Sequence, residues 1–184
     1  LWVMLVILFC LGTVQEMCAR LGAVTGKGFS DLVRENFSLR MTAFILFALQ
    51  KAGHAELAYK LVLNKTYPSW LQQVVWGSTT MWERWDGWRP EKGFQDPGMN
   101  SFNHYWLGCV SEWLITQAAG IDTDGPGFQR IKIYPELVKP EQGFSWVKAK
   151  YDSIRGPVAS QWKVDGNKFV LEIGIPANTT ATVY

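Results

Sequence analysis

The spacing of apolar residues along the chain is helical up to about residue 120 and alternating after it. In the first part, apolar side chains recur three and four residues apart, which is the period of an amphipathic helix. The earliest clear set is Met41, Phe44, Ile45, Ala48 and Leu49. Gly53 is expected to end this helix, because glycine readily takes the left-handed conformation that follows a helix.

Two shorter helices are predicted next. One runs from residue 54 or 55 to Leu63, and the other has Thr66 as its cap and Pro68 in its first turn, and reaches Val75. The apolar face of the first holds Leu57, Ala58, Leu61 and Val62. Because the connections are short, neighbouring helices should be antiparallel, which makes the helical hairpin the expected unit.

Residues 77–99 break the helical pattern with many glycines and prolines. A stretch of this length without regular structure inside a compact domain is usually functional. A helix is predicted to resume at Asn100, a good N-cap, and to end at Ala119 before Gly120. Its apolar face would hold Phe102, Tyr105, Trp106, Cys109 and Trp113.

After Gly120 the pattern predicts a linker and then strands. The linker covers residues 121–127, and Asp165 and Gly166 form a hairpin turn. The predicted strands are residues 130–134, 145–151, 158–164, 168–175 and 181–184. Phe169, Leu171, Ile173 and Ile175 alternate along one strand and are expected to face a core. We therefore predict two parts, residues 1–121 and 122–184, the second a small antiparallel β-sandwich.

Composition excludes several classes of function. The net charge is only +2, so nothing predicts binding to nucleic acid. Three cysteines and two histidines without metal-ligand spacing predict no metal centre. No glycine-rich phosphate-binding motif is present, and no cofactor is expected.

The first eleven residues, Leu1 to Leu11, are apolar throughout. A transmembrane helix needs about 20 such residues, so no membrane span is predicted here. The run resembles the apolar core of a signal peptide, but no basic residue precedes it, since the first is Arg20. A buried segment and a signal segment both remain open, and with them a cytoplasmic or a secreted location. Residues 1–36 match poorly the family pattern that later stretches of the chain carry.

Tryptophan is concentrated in one region, since seven of the ten lie between residues 70 and 113. Residues 82–88 place Glu83 and Asp86 among Trp82, Trp85 and Trp88. Indole planes can cover the apolar faces of sugars, and a carboxylate among indoles is partly desolvated, which suits it to proton transfer. The pattern therefore indicates a carbohydrate site, and the alternative is an aromatic core stripe with solvated charges between its rings.

A second candidate segment leads to His104. It lies in the first turn of the helix predicted from Asn100, where the positive end of the helix dipole favours a neutral imidazole. A structural role for this histidine is the alternative. His54, at the start of a predicted helix, is interpreted as a surface or capping residue.

Several stretches, in order along roughly three quarters of the chain, resemble the C-terminal part of bacterial-type α-L-rhamnosidases. They are Gly53–Leu61, Tyr67–Leu71, Thr79–Asp86, Met99–Tyr105, Gly108–Leu114, Ala119–Ile121, Tyr151–Ser153 and Ile175–Ala181. The most specific are Thr79-Thr-Met-Trp-Glu-Arg-Trp-Asp86 and Met99-Asn-Ser-Phe-Asn-His-Tyr105. The two motifs together are too specific to be a chance match.

The resemblance implies part of an (α/α)₆ toroid of six helical hairpins, followed by a small β-sandwich. It implies hydrolysis of terminal non-reducing α-L-rhamnose with inversion. By the family pattern Glu83 is the general base, His104 binds the sugar, and Trp82, Trp85 and Asp86 shape or bind the same pocket.

An inverting enzyme needs a second carboxyl group as general acid. In this family the acid lies upstream of anything that matches here, so the resemblance implies that the chain supplies the base half of the site. Its partners would be a rhamnosyl glycoside and the upstream part of the same catalytic domain. The alternatives are a catalytically silent fragment or sugar-binding remnant, which predicts that the isolated chain is inactive, and a related (α/α)₆ hydrolase for another sugar.

Overall fold

The computed structural model describes residues 39–95, 98 and 101–184. The chain divides into two compact units, Leu1–Met41 and Thr42–Tyr184, and nearly all of the described residues belong to the second. The apolar run Leu1–Leu11 and the cap predicted at Asn100 lie outside the described residues. No described helix is long and apolar enough to cross a membrane.

Helices come first in the chain. They are α1 Leu39–Lys51, α2 Ala55–Leu63, α3 Trp70–Val75, α4 Tyr105–Gly108 and α5 Val110–Trp113, with a π-helical turn Leu114–Ala118. A short hairpin of β1 Trp88–Arg89 and β2 Gly93–Phe94 lies between α3 and α4. Strands follow as β3 Ile121–Thr123, β4 Arg130–Ile133, β5 Trp146–Ser153, β6 Gly156–Asp165, β7 Lys168–Gly174 and β8 Thr180–Val183. The predicted order of helices followed by strands is confirmed.

The burial of the helices differs from the prediction in detail. Leu46 is the fully buried side chain of the second half of α1, whereas Ile45 is 40% exposed. In α2 the buried residues are Ala55, Ala58, Tyr59 and Val62, and Leu57 is exposed. The helical period was therefore right, but the buried face is rotated, because the surrounding elements decide which apolar face is covered.

Helix α3 begins one turn later than predicted. Ser69, not Thr66, is the N-cap, and its side chain accepts a hydrogen bond from Gln72 N–H. The helix buries Gln72 and Gln73 and exposes Val74 and Val75 by more than half. A helix that packs only against this chain is expected to bury its valines and expose its glutamines, so the observed distribution is reversed.

The strands form two three-stranded sheets, in the orders β3-β4-β8 and β5-β6-β7. All pairs are antiparallel except β4 with β8, which is parallel and corrects the purely antiparallel prediction. The two sheets enclose a core of Ala119, Ile121, Ile131, Ile133 and Val158. Residues 121–123, predicted as a linker, form strand β3 because Ile121 enters this core. The domain boundary between residues 121 and 122 stays a prediction, and β3 spans it.

The row Phe169, Leu171, Ile173 and Ile175 does point to the same side of its sheet as the buried Val158 and Trp162. Only Leu171 packs on the core, while the other three are 41–42% exposed. The row therefore faces the predicted side of the sheet, but three of its four side chains are only partly covered. Strand β7 is at the edge of its sheet, and the opposite three-stranded sheet does not cover it fully.

Gly120 joins the last helical turn to β3, as predicted. Its φ is +73°, and a side-chain carbon added there would lie 2.1 Å from Pro135 N. Only glycine combines this backbone conformation with so close an approach. Ser160 Oγ and Trp162 Nε1 then donate hydrogen bonds to the carbonyl oxygens of Ala119 and Ala118 (2.7 and 2.8 Å), which fix the β part to the helix end.

Candidate active site

Two loops pair through their main chains and bring together the two segments singled out in the sequence. His104 N–H donates to Met81 O (2.8 Å), and Glu83 N–H donates to Ser101 O (2.7 Å). The hydroxyl of Thr80 also donates to Phe102 O. Residues 80–83 and 101–104 therefore run side by side, and we call them the paired loops. The structure thus places Glu83 and His104 in one local arrangement.

The carboxylate of Glu83 is held by the opposite loop. Its Oε2 accepts a hydrogen bond from Ser101 N–H at 2.9 Å, so Glu83 and Ser101 are joined by both main chain and side chain. Hydrogen bonds to an ionised acceptor are the stronger kind and restrict its rotation. Glu83 is half-buried, and among the described residues its Oε1 has no hydrogen-bond partner. One oxygen is therefore fixed, and the other can accept a proton from water.

His104 is the N-cap of α4, not a residue of its first turn as predicted. Its Nδ1 accepts a hydrogen bond from Trp106 N–H at 3.3 Å, which leaves Nε2 as the ring nitrogen that can donate. The ring stacks on Tyr105 with centroids 5.1 Å apart. Helix α4 begins only at Tyr105 because residues 101–104 use their main chain to pair with the other loop. His104 thus presents one N–H donor, a group suited to a sugar hydroxyl.

Trp82 and Trp85 are buried, with 5% and 8% exposure. Trp82 packs edge-on against Phe102 (5.6 Å), and Trp85 packs edge-on against Trp70 (5.0 Å). Trp70 in turn donates a hydrogen bond from Nε1 to Leu107 O. These contacts join the paired loops to each other and Trp85 to α3, and they leave little indole surface free within the described residues. Trp88 is half-buried on β1.

Both carboxylate oxygens of Asp86 are engaged with arginines. Arg89 Nη2 lies 2.8 Å from Oδ2, and Arg84 Nε lies 3.4 Å from Oδ1. The hydrogen bond to Asp86 raises the pKa of Arg89 above its ordinary value. Arg89 also lies over the ring of Tyr67, 5.3 Å from its centroid. Asp86 therefore joins Arg89 of β1 to the segment of residues 84–86, which follows the first of the paired loops.

Sequence reasoning missed three residues of this arrangement. Ser101 positions Glu83, Arg89 binds Asp86, and Gln73 Nε2 donates to Arg84 O at 3.1 Å. Only Arg89 carried a usable signal, because an arginine three residues after an aspartate is within reach of it. Within the described residues, no cluster of three or more His, Cys, Asp or Glu side chains could hold a metal ion.

Family comparisons agree with this architecture. Residues 39–118 match the model of the bacterial α-L-rhamnosidase six-hairpin glycosidase domain, and residues 120–184 match that of the bacterial α-L-rhamnosidase C-terminal domain. A helical part with the paired loops, followed by a small β domain, thus corresponds to part of a six-hairpin glycosidase domain and the C-terminal domain that follows it. From residue 39 to residue 184 the chain belongs to the bacterial α-L-rhamnosidase family.

Individual relatives cover the same region. An α-L-rhamnosidase of Streptomyces avermitilis is 42% identical over 143 residues, and one of Formosa agariphila is 36% identical over 142 residues. These matches cover 78% and 77% of this chain but only 14% and 15% of the relatives' own length.

Solved structures give the same result. The Streptomyces avermitilis enzyme complexed with L-rhamnose superposes with a TM-score of 0.69 at 42% identity, over 77% of this chain and 14% of that one. The Aspergillus terreus enzyme also reaches 0.69, at 33% identity over 84% of this chain and 18% of that one.

Residues 1–62 also match a different family model, described as natural resistance-associated macrophage protein-like. This match overlaps that of the six-hairpin domain at residues 39–62. In the structure, Tyr59 of this overlap packs on Trp113 and Phe144, at 5.0 and 5.5 Å between ring centroids. Its hydroxyl donates to Glu136 O (2.9 Å). Helix α2 therefore packs against later elements of the region that matches the rhamnosidase family.

Proposed function

We propose that this chain supplies the general-base half of a site that hydrolyses terminal non-reducing α-L-rhamnosyl groups with inversion. The observation that carries the proposal is that Glu83 Oε2 is fixed by Ser101 N–H, while Oε1 has no partner among the described residues and is free to accept a proton. In this role Glu83 removes a proton from water as the water oxygen attacks the anomeric carbon, while the glycosidic C–O bond breaks and the general acid protonates the departing oxygen. His104 donates from Nε2 to a hydroxyl of the same sugar.

Trp82, Trp85 and Asp86 have supporting roles in this proposal. The two indoles are covered by Phe102 and Trp70, so they shape the floor of the sugar pocket and hold the paired loops in place. Asp86 orients Arg84 and Arg89 beside the pocket. Activation of the water molecule is assigned to Glu83, and binding of the sugar to His104.

The general acid is proposed to come from further polypeptide of the same catalytic domain. Asp86 is unsuited to that role, because both of its carboxylate oxygens are engaged with arginines. Exposed Val74 and Val75 on α3 lie beside the buried side-chain amide of Gln72, which has no partner among the described residues, and this supports an additional layer of chain over the helix. The relatives, of which this chain spans about one seventh, have ample length to provide it.

A chimera tests the activity directly. The 143 aligned residues of the Streptomyces avermitilis enzyme are replaced by those of this chain, and initial rates are measured on a panel of aryl glycosides. We expect hydrolysis of the aryl α-L-rhamnoside above all others, and proton NMR should show the β anomer of rhamnose first. Clear preference for another sugar would favour a related hydrolase, and first release of the α anomer would refute inversion.

The alternative is that the chain is a catalytically silent, sugar-binding remnant. The absence of a second unpaired carboxylate from the described paired loops favours this for the chain by itself. The isolated 184-residue chain should then show no turnover of aryl α-L-rhamnoside while the chimera does. Robust turnover by the isolated chain would overturn the assignment of the acid to other polypeptide.

A further inference from the structure

A groove of about 650 Å³ runs along β5, outside the paired loops. Leu114, Ile115 and Ala118 of the π-helical turn form one side, and Gly143, Phe144 and residues 145–150 form the other. We call it the β5 groove. None of its residues takes part in the Glu83 arrangement, so it is a separate feature of the chain.

The main chain of β5 offers hydrogen-bonding groups to this groove. Val164 N–H donates to Ser145 O (2.8 Å), and the register that follows pairs Val147 with Trp162 and Ala149 with Ser160. In an antiparallel pair, bonded residues alternate, so the odd-numbered residues of β5 bond to β6. The N–H and C=O groups of residues 146, 148 and 150 therefore point to the open edge, where no described residue satisfies them.

The side chain of Trp146 is unusually open for a tryptophan. It is 66% exposed, and no aromatic ring or cation of the described residues stacks on it. Because it is even-numbered, it shares the outer face of the sheet with Lys148 and Lys150, while Val147 and Ala149 pack against the core. An uncovered indole beside a groove can cover the apolar face of a sugar ring, and its edge still reaches water.

The charge around the indole is positive. Lys148 follows two residues later, and Lys163 lies opposite Trp146 on β6. Neither has an ion-pair partner among the described residues, whereas Lys150 lies 2.9 Å from Asp152. Two unpaired ammonium groups beside an open indole favour a ligand that carries negative charge.

Addition of an extended peptide strand is the other use of an open strand edge. Lysines on an edge strand oppose this pairing, and natural sheets use them for that purpose. The exposed indole also has no role in main-chain pairing. The combination of indole, main-chain donors and acceptors, and free lysines fits a saccharide better than a strand.

We propose that the β5 groove binds an anionic saccharide. The indole of Trp146 covers a pyranose face, the main-chain groups of residues 146, 148 and 150 bind hydroxyls, and Lys148 and Lys163 bind a carboxylate or sulfate. This site is independent of the Glu83 pocket and would hold an acidic glycan on the β domain.

Isothermal titration calorimetry on the 184-residue chain tests the proposal with three probes: trigalacturonate, its neutral methyl ester, and a sulfated galactose trisaccharide. At low salt, at least one anionic probe should bind about fivefold or more tightly than the neutral ester, and which one does so identifies the preferred anion. Salt should weaken this binding. Equal affinity for the neutral ester, or no saturable binding of any probe, would overturn the proposal.

Variants locate the binding. Trp146→Ala should weaken it about tenfold or more, as expected for a central aromatic contact. Lys148→Gln should weaken it about two- to fivefold, the range of exposed ion pairs. Lys168→Gln, on the far strand β7, is the matched control and should change nothing. Glu83→Gln should also leave it unchanged, so failure here is separate from failure of the proposed hydrolysis. Unaltered affinity of Trp146→Ala, with an unchanged far-ultraviolet spectrum, would contradict the site.

Discussion

The helical and β parts of the molecule differ in how their buried polar groups are satisfied. In the β part, Ser160 and Trp162 are fully buried and both donate to carbonyl oxygens at the helix end. In the helical part, buried atoms of Gln50, Gln72, Gln73, Arg89 and Trp113 lack a hydrogen-bond partner among the described residues. Buried polar groups are normally paired. The β part thus completes its own interactions, whereas the helical part has the features expected of a domain that needs more polypeptide.

The largest expected difference between the parts concerns two buried tryptophans. Trp162→Phe removes a hydrogen bond and leaves the carbonyl of Ala118 unpaired, whereas Trp113→Phe removes an N–H that has no partner among the described residues. Both changes remove similar volume from sites with at most 2% exposure. Urea unfolding should show a loss of free energy for Trp162→Phe that is about 1–3 kcal/mol greater. Equal losses would remove the distinction between the two parts.

A second pair of substitutions tests the same contrast at smaller side chains. Ser160→Ala should lower the free energy of unfolding by about 1 kcal/mol or more, because Ala119 O loses its donor. Gln72→Met, which keeps volume and removes two buried unpartnered atoms, should be neutral or stabilising. A clear loss of stability in Gln72→Met would mean that its amide is satisfied after all.

The contact that Tyr59 makes between the helical and β parts predicts that the free energy of unfolding depends on pH. Tyr59 is 1% exposed, and burial, followed by the charge of Glu136, raises its pKa above the ordinary 10.0. A raised pKa in the folded state gives stability that is full below pH 10 and is lost as pH rises toward the folded value. The wild-type chain should lose about 1.4 kcal/mol more than Tyr59→Phe between pH 8 and pH 11. Urea midpoints that change with pH to the same extent in both proteins would contradict this.

The smallest effect concerns substrate binding in the chimera. His104→Ala should lower kcat/KM about three- to tenfold, because one hydrogen bond to a neutral group is worth about 0.5–1.5 kcal/mol. The loss should appear mainly as a higher KM if the bond is equally strong in ground and transition states. His54→Ala, whose side chain is 56% exposed, is the control and should leave both constants unchanged. An effect of His54→Ala as large as that of His104→Ala would show that neither reports on the sugar site.

Local sequence signals predicted the elements well where local geometry decides them. Gly120 is required by its positive φ and its contact with Pro135, and the turn at Asp165 and Gly166 connects β6 and β7 as expected. The start of α4 was missed because Ser101 binds Glu83, a contact between residues 18 positions apart. Strand β3 was missed because it is defined by pairing with β4, and a three-residue strand has little pattern of its own.

The candidate site was also predictable only in part, because contacts between residues distant in sequence assemble it. The motif residues Glu83 and His104 could be named from the sequence, but the pairing of their loops depends on main-chain hydrogen bonds that no periodicity reveals. The exposure of Val74 and Val75 was equally hidden, since a helix pattern shows which residues are apolar but not which face is covered.

The central claim is that Glu83 is the general base, and the kcat of the chimera on an aryl α-L-rhamnoside tests it most directly. Glu83→Gln is compared with Glu112→Gln, an exposed carboxylate in α5. Loss of a general base lowers rates by about 10²–10⁴. We predict such a loss for Glu83→Gln, with unfolding unchanged, and less than a twofold change for Glu112→Gln. A Glu83→Gln enzyme that keeps its kcat within about threefold would contradict the assignment of Glu83 as the base.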